Sequence, residues 1–202
     1  MKGFWIFAAL SGGACASGAS AVTGSVEAGA TKSVTCQGCH GANGVSQSPE
    51  WPNLAGLGAD YIVQQLQQFK DGKRASPVMV PMTQSLAPDD MVDIAAYFNS
   101  LPNPTLGTDP SSGKAGEKLY RGGDAARGIP ACLACHGAEG HGVEAAKFPS
   151  LHGQRSAYVS KQLHDYASGA RTTGPNNIMP AIAKRLSEDD MSNVAAYVEG
   201  IR

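Results

Sequence analysis

Cysteine recurs twice in the same five-residue setting, Cys36-Gln37-Gly38-Cys39-His40 and Cys132-Leu133-Ala134-Cys135-His136. Two thiols three residues apart lie on one side of a single helical turn, where they can form thioethers to the two vinyl groups of one porphyrin. The histidine directly after the second cysteine is then held under the iron and supplies an axial imidazole. Cys-x-x-Cys-His is the attachment signature of c-type haem. The sequence therefore predicts two covalent haems (iron), one on Cys36 and Cys39 and one on Cys132 and Cys135, with His40 and His136 on the metal. A zinc reading fares worse: structural zinc pairs lie about 15–20 residues apart, whereas these are 96 apart and each histidine would go unexplained.

The opposite axial position decides what such a haem does, since methionine there raises the reduction potential and suits electron transfer. A ligand should occupy the same place in both copies. Met79 lies seven residues before Leu86, and Met179 lies seven before Leu186; these two are the expected iron ligands. Met82 aligns with Ile182 and is expected in the core, as are Met91 and Met191. Pro81 and Pro180 suggest a stiff loop, rather than a helix, presenting each sulfur. His141, His152 and His164 occur only in the second copy and read as surface or partly buried histidines. Pro52 and Pro149 have two readings, a structural turn or a nearby carbonyl that accepts the ring N–H of His40 or His136.

Around these groups the chain repeats itself. Cys36 matches Cys132 at an offset of 96; Trp51-Pro52-Asn53-Leu54, Tyr61 and Gln65-Leu66 match Phe148-Pro149-Ser150-Leu151, Tyr158 and Gln162-Leu163 at 97. Ala95-Ala96-Tyr97 matches Ala195-Ala196-Tyr197 at 100. This period exceeds that of solenoid repeats and describes one domain present twice. Residues 22–101 and 114–202 are the expected domains, joined over 102–113 by a linker rich in proline, glycine and polar residues. Each reads as helical. Ile62, Leu66 and Phe69 recur at helical spacing, with Gly72 placed as a C-cap. Ser187-Glu188-Asp189-Asp190 approximates a capping box; Ala87-Pro88 lacks the hydroxyl but puts proline where a helix begins. The small residues of each Ala-Ala-Tyr stripe predict a close helix approach.

Composition narrows the function classes. A formal net charge of -1 across 202 residues argues against a nucleic-acid binder. Residues 22–101 carry 4 Lys and Arg against 7 Asp and Glu, and the remainder 11 against 10, an asymmetry able to orient the molecule on a partner. Lys2, the apolar run Phe4 to Leu10 and Ala19-Ser20-Ala21 have the layout of a secretory signal, residues 1–21, which predicts a periplasmic protein. Cys15 falls inside it, without the leucine three residues earlier that a lipoprotein cleavage site has.

The chain resembles the dihaem cytochromes of the cytochrome c4 family. The resemblance rests on the two attachment motifs, the Pro-x-Leu segments at Pro52 and Pro149, the Gln-Leu helices and Gly116-Glu117-Lys118-Leu119-Tyr120-Arg121-Gly122-Gly123. The methionine loops and the Ala-Ala-Tyr endings complete it. It implies an all-α fold of two tandem class I cytochrome c domains, His/Met ligation and a non-enzymatic electron carrier. The implied partners are redox proteins, membrane-bound respiratory complexes among them, with loose membrane association and no nucleic acid. A donor complex would feed it and a terminal oxidase or reductase drain it. It also places Arg121 near haem propionates or leaves it exposed. The cytochrome subunits of flavocytochrome sulfide dehydrogenases share the two-domain plan and give the alternative reading. A dihaem peroxidase would need an open iron, against which the matched methionines argue.

Overall fold

A computed structural model describes residues 24–106 and 113–201. The expected signal peptide, Cys15 and half of the expected linker, residues 107–112, lie outside the described residues. Ten α-helices follow in order: α1 (Val26–Lys32), α2 (Val34–His40), α3 (Ala59–Lys70), α4 (Met79–Thr83), α5 (Pro88–Ser100), α6 (Lys114–Gly122), α7 (Leu133–His136), α8 (Ser156–Ser168), α9 (Ile178–Ala183) and α10 (Glu188–Gly200). Pairing among the described residues outside helices is limited to two isolated antiparallel bridges, Asp124 with Ile129 and Val143 with Phe148.

The second five helices repeat the first five. α1 and α3 both pack on α5, and α6 and α8 both pack on α10; α4 lies on α3 as α9 lies on α8. Two separate apolar clusters result. One joins Leu57, Ile62 and Leu66 to Met91, Ile94, Ala95 and Phe98. The other joins Leu119, Tyr120, Val159 and Leu163 to Met191, Val194, Ala195 and Val198. Ile62, Leu66 and Phe69 are buried as their spacing predicts, and so are Met91 and Met191.

Local chemistry sets the helix ends. Ser187 Oγ accepts the Asp190 N–H at 3.2 Å while Asp190 accepts the Ser187 N–H at 2.8 Å, the reciprocal cap expected at α10. At α5, Pro88 takes the first helical position and Asp90 accepts the Ala87 N–H at 2.9 Å; Ala87 has no hydroxyl to return the bond. α3 ends at Lys70 and Gly72 follows with φ +67°.

A close helix approach is present beside each Ala-Ala-Tyr stripe, but the small residue that permits it is a glycine of the facing helix and not the alanines. A Cβ on Gly29 of α1 would lie 2.0 Å from the Asp93 carbonyl oxygen, and one on Gly116 of α6 would lie 2.0 Å from that of Asn193. On the facing helices the nearest groups are the Asp93 and Asn193 backbones and the Cβ atoms of Tyr97 and Tyr197, while Ala95 and Ala195 are buried in the apolar clusters.

The methionines differ from expectation. Met79 opens α4, and Met179 is the second residue of α9; each is presented by a short helix. Pro81 and Pro180 are compatible with this because each is the third residue of its helix, where a backbone N–H has no intrahelical acceptor. Met82 was expected in the core and is instead 40% exposed, whereas Ile182 packs against the second cluster. The three-residue helical step puts Met82 at the rim of its domain.

Candidate functional site

In each half one histidine is buried at the end of the helix that carries the cysteines. His40 closes α2 and His136 closes α7. His40 Nδ1 lies 2.8 Å from the carbonyl oxygen of Pro52, and His136 Nδ1 lies 3.0 Å from that of Pro149. A carbonyl only accepts, so Nδ1 carries the proton in both rings and Nε2 keeps its lone pair. Of the two readings of the prolines, the structure shows the carbonyl one, and the acceptor is the proline's own. Burial pushes both imidazoles below their ordinary pKa, the carbonyl only partly opposing it. Each ring is thus neutral, oriented and ready to donate to a metal at neutral pH.

The thiols lie alongside. Cys36, Cys39, Cys132 and Cys135 are all free. Burial raises the Cys36 thiol and pushes Cys132 up to about 11, so both stay protonated at neutral pH. Cys36 and Met79 border one apolar cluster, and Cys132 and Met179 border the other. The Met79 N–H donates to Ser76 Oγ at 3.0 Å, and Thr83 Oγ1 donates back to the Met79 carbonyl at 3.1 Å. The second half reaches the same end by a different route. Its extra three residues fall before Met179, where Asn176 and Asn177 adopt φ +51° and +55°, a left-handed conformation that asparagine tolerates better than most residues. In each half one thiol and one thioether therefore border the same apolar cluster, and the Cys-x-x-Cys-His segment that carries the thiol ends in a buried imidazole with a free Nε2. That donor set fits an iron porphyrin held by two thioethers and two axial ligands.

His141, His152 and His164 stand apart from these sets. His141 is exposed and stacks on His152 at 4.5 Å, while His164 pairs with Glu188. Arg121 bonds Glu117 at 2.9 Å and lies 6.0 Å above the Tyr197 ring, within its own half and partly exposed. The arginines at the junction are Arg74 and Arg171, which sequence reasoning missed. Arg74 donates to Gln65 of its own half at 2.8 Å and to Tyr158 and Gln162 of the other at 3.0 and 2.7 Å. Arg171 donates to its own Gln162 at 2.7 Å and across to Tyr61 and Gln65 at 3.2 and 2.9 Å. The signal was available: Arg74 and Arg171 match at an offset of 97, as Tyr61 and Tyr158 do.

More bonds cross the same junction. Arg155 donates to the Ser46 carbonyl, and Glu144 accepts the Ala59 N–H at 3.1 Å, capping α3 from the opposite half.

The cytochrome c family profile matches residues 26–102 and again 114–202. Cytochrome c4 of Pseudomonas aeruginosa is 42% identical over 179 residues, covering 88% of this chain and 89% of that protein. The chain belongs to the cytochrome c4 family. The crystal structure of reduced recombinant cytochrome c4 from Pseudomonas stutzeri superposes with a TM-score of 0.86 at 40% identity, covering 89% of this chain and all of that one. A protein named thiosulfate dehydrogenase electron acceptor, from Stutzerimonas stutzeri, is 36% identical over 172 residues, 83% of this chain and 79% of that protein. The fold is accordingly two class I cytochrome c domains in tandem, carrying two covalently bound c-type haems. As in the rest of the family, the protein is an electron carrier and not an enzyme.

Proposed function

We propose that Cys36 and Cys39 tether the first haem and Cys132 and Cys135 the second, with His40 and Met79 on one iron and His136 and Met179 on the other. The observation that carries this reading is the duplicated histidine geometry, a buried ring whose Nδ1 is committed to a proline carbonyl and whose Nε2 is left for a metal. The iron supplies the one-electron couple. The residues do the rest: the thioethers prevent loss of the group, the carbonyl bond fixes the imidazole plane, and the apolar floor keeps water from the metal. Methionine opposite histidine sets a potential suited to transfer between respiratory proteins.

The proposed domains run over 22–101 and 114–202, after a cleaved signal over 1–21, and the proposed site of action is the periplasm. There the protein shuttles electrons from a membrane-bound respiratory donor to a terminal oxidase or reductase. No helix among the described residues is long and apolar enough to cross a membrane, so a membrane partner would be met from outside. A second reading, electron acceptor for a thiosulfate-oxidising enzyme, is favoured by the relative of that name.

With both axial positions filled, neither iron offers a place for a small substrate. The ferrous protein should leave its visible spectrum unchanged on exposure to carbon monoxide at neutral pH. It should also exchange electrons with a redox partner at a rate that falls with ionic strength where charge steers the encounter. Stoichiometric carbon monoxide binding would overturn the ligand assignment. Comparing reduction rates by thiosulfate dehydrogenase and by a quinol-oxidising complex separates the two donor readings.

A further inference from the structure

The two proposed methionine ligands are held to different degrees. In the first half both ends of Met79 are pinned: its N–H donates to Ser76 Oγ at 3.0 Å, and its carbonyl accepts from Thr83 Oγ1 at 3.1 Å. Thr83 itself is fully buried. Gln84 Nε2 ties the end of α4 to the Lys70 carbonyl of α3 at 3.3 Å. None of these three anchors recurs. Thr83 and Gln84 match Ala183 and Lys184 at an offset of 100; the alanine has no hydroxyl, and the lysine is exposed. Ser76 matches Thr173 at an offset of 97, but the Thr173 hydroxyl is buried without a hydrogen-bond partner among the described residues. Met179 follows Thr173 by six positions, whereas Met79 follows Ser76 by three. The intervening Gly174 to Asn177 are exposed, and Asn176 and Asn177 are both left-handed, at φ +51° and +55°. Successive left-handed residues are disfavoured and persist only while their surroundings hold them. What fastens α9 is apolar contact of Met179 and Ile182 with their cluster, and an Arg185 bond to the Gly128 carbonyl at 2.8 Å, beyond the helix end. Neither fixes the Met179 backbone.

We propose that Met179 is the displaceable one of the two axial methionines, so that the second iron, in its ferric state, is a binding site for small strong-field anions. The exchange breaks the Met179 Sδ–iron bond and makes one iron–ligand bond, with no change of oxidation state. A thioether is a soft donor and holds the less charged ferrous iron more firmly, so the reduced protein stays closed and the site opens on oxidation. The apparent affinity of an entering ligand scales with the fraction of molecules in which its position is open, and an unpinned loop raises that fraction. The first half, pinned on both sides of Met79, stays closed in both states. The proposal rests on the haem and methionine assignments above.

The test is a cyanide titration of the ferric holoprotein at neutral pH, followed by its visible spectrum and by alkylation of released methionines with iodoacetamide and peptide mass mapping. One cyanide should bind about tenfold more tightly than the next, with Met179 alkylated and Met79 spared. Met82, being exposed, should be alkylated with or without cyanide and serves as the internal control. Thr83→Val removes the anchoring hydroxyl with little change of shape; it should bring the first haem into the same cyanide range and open Met79 to alkylation. If Thr83→Val does not fold, Ser76→Ala removes the other anchor and carries the same expectation. Alkylation of Met79 before Met179, or of both together, overturns the proposal, as does a ferric protein that takes up no cyanide short of unfolding. A first haem whose cyanide affinity is unmoved in both variants overturns it too, because the hydroxyls would then not hold the ligand. A holoprotein whose mass shows fewer than two haems, or a Met179→Ala variant that keeps both thioether-to-iron bands, would instead contradict the assignments beneath the proposal, which keeps the two failures distinct.

Discussion

Asn53 and Gln154 form a closed amide pair across the domain junction. The Asn53 N–H donates to Gln154 Oε1 and the Gln154 Nε2 donates to the Asn53 carbonyl, both at 2.8 Å. The Asn53 side chain completes the contact by donating to the Gly153 carbonyl at 2.8 Å. Both residues are buried. The residue before Asn53 is Pro52, whose carbonyl holds His40. One peptide segment therefore orients a proposed iron ligand on one side and fastens the second domain on the other.

Asn53→Ala strips both side-chain bonds and leaves the buried Gly153 carbonyl and Ser46 N–H without their partner. Unsatisfied buried groups of this kind cost about 1–3 kcal/mol. Chemical denaturation should show a loss in that range, and the optical spectrum of the first haem should broaden while that of the second holds. An unchanged denaturation midpoint would mean that solvent replaces both bonds.

The methionine assignments separate cleanly. Met79→Ala and Met179→Ala should each remove one thioether-to-iron charge-transfer band and lower one potential. Met82→Ala should change neither haem, because Met82 is exposed and the second copy has isoleucine, not methionine, at the matching position. A lost band in Met82→Ala together with a normal spectrum in Met79→Ala would reverse the assignment.

Acid should weaken the second domain through Asp190. Its bond to Arg127, 2.5 Å long, holds its carboxyl down from 3.8 to about 2. A depressed carboxylate stabilises the fold fully above its unfolded pKa, and that contribution is lost as pH falls through the folded value. Stability should therefore decline between pH 4 and pH 2. Asp190→Asn should flatten that part of the curve and leave the neutral region lower, measured by thermal unfolding against pH.

Each half holds its own apolar cluster and its own set of proposed ligands. Expressed separately with haem-maturation machinery, residues 22–101 and 114–202 should each give a monohaem protein. The first fragment should be the less stable, since α3 loses the cap that Glu144 provides. Absence of haem from both fragments would show that the junction is required for folding.

Much of this was legible because it is local or repeated. The attachment motifs, the helical spacing of Ile62, Leu66 and Phe69, and the Ser187 cap depend on residues close in sequence. The alignment of the halves singled out Met79 and Met179 as candidates, and each borders the apolar cluster of its half. What escaped depends on distance. Arg74 finds Tyr158 and Gln162, 84 and 88 positions away, and no local pattern announces such a meeting. The loops expected at Pro81 and Pro180 were short helices because a breaker inside a helix is harmless in its first turn. Met82 was expected in the core because it aligns with Ile182, yet the two halves differ here: Ile182 packs on its cluster and Met82 is exposed.

The exchange of partners by Arg74 and Arg171 has a consequence for lineage. Every group in it recurs 97 positions later, so the contact is isologous: each half offers the donors and acceptors that the other lacks. A single copy of such a unit would be complementary to itself, which is the geometry of a two-fold homodimer. Joining two copies in one chain replaces that encounter with an intramolecular one at high effective concentration, and a contact built from amides, phenols and guanidinium groups then suffices to keep the pair together. Once the copies are joined they are free to drift apart, as Asn53 against Ser150 and Leu57 against Gln154 already have.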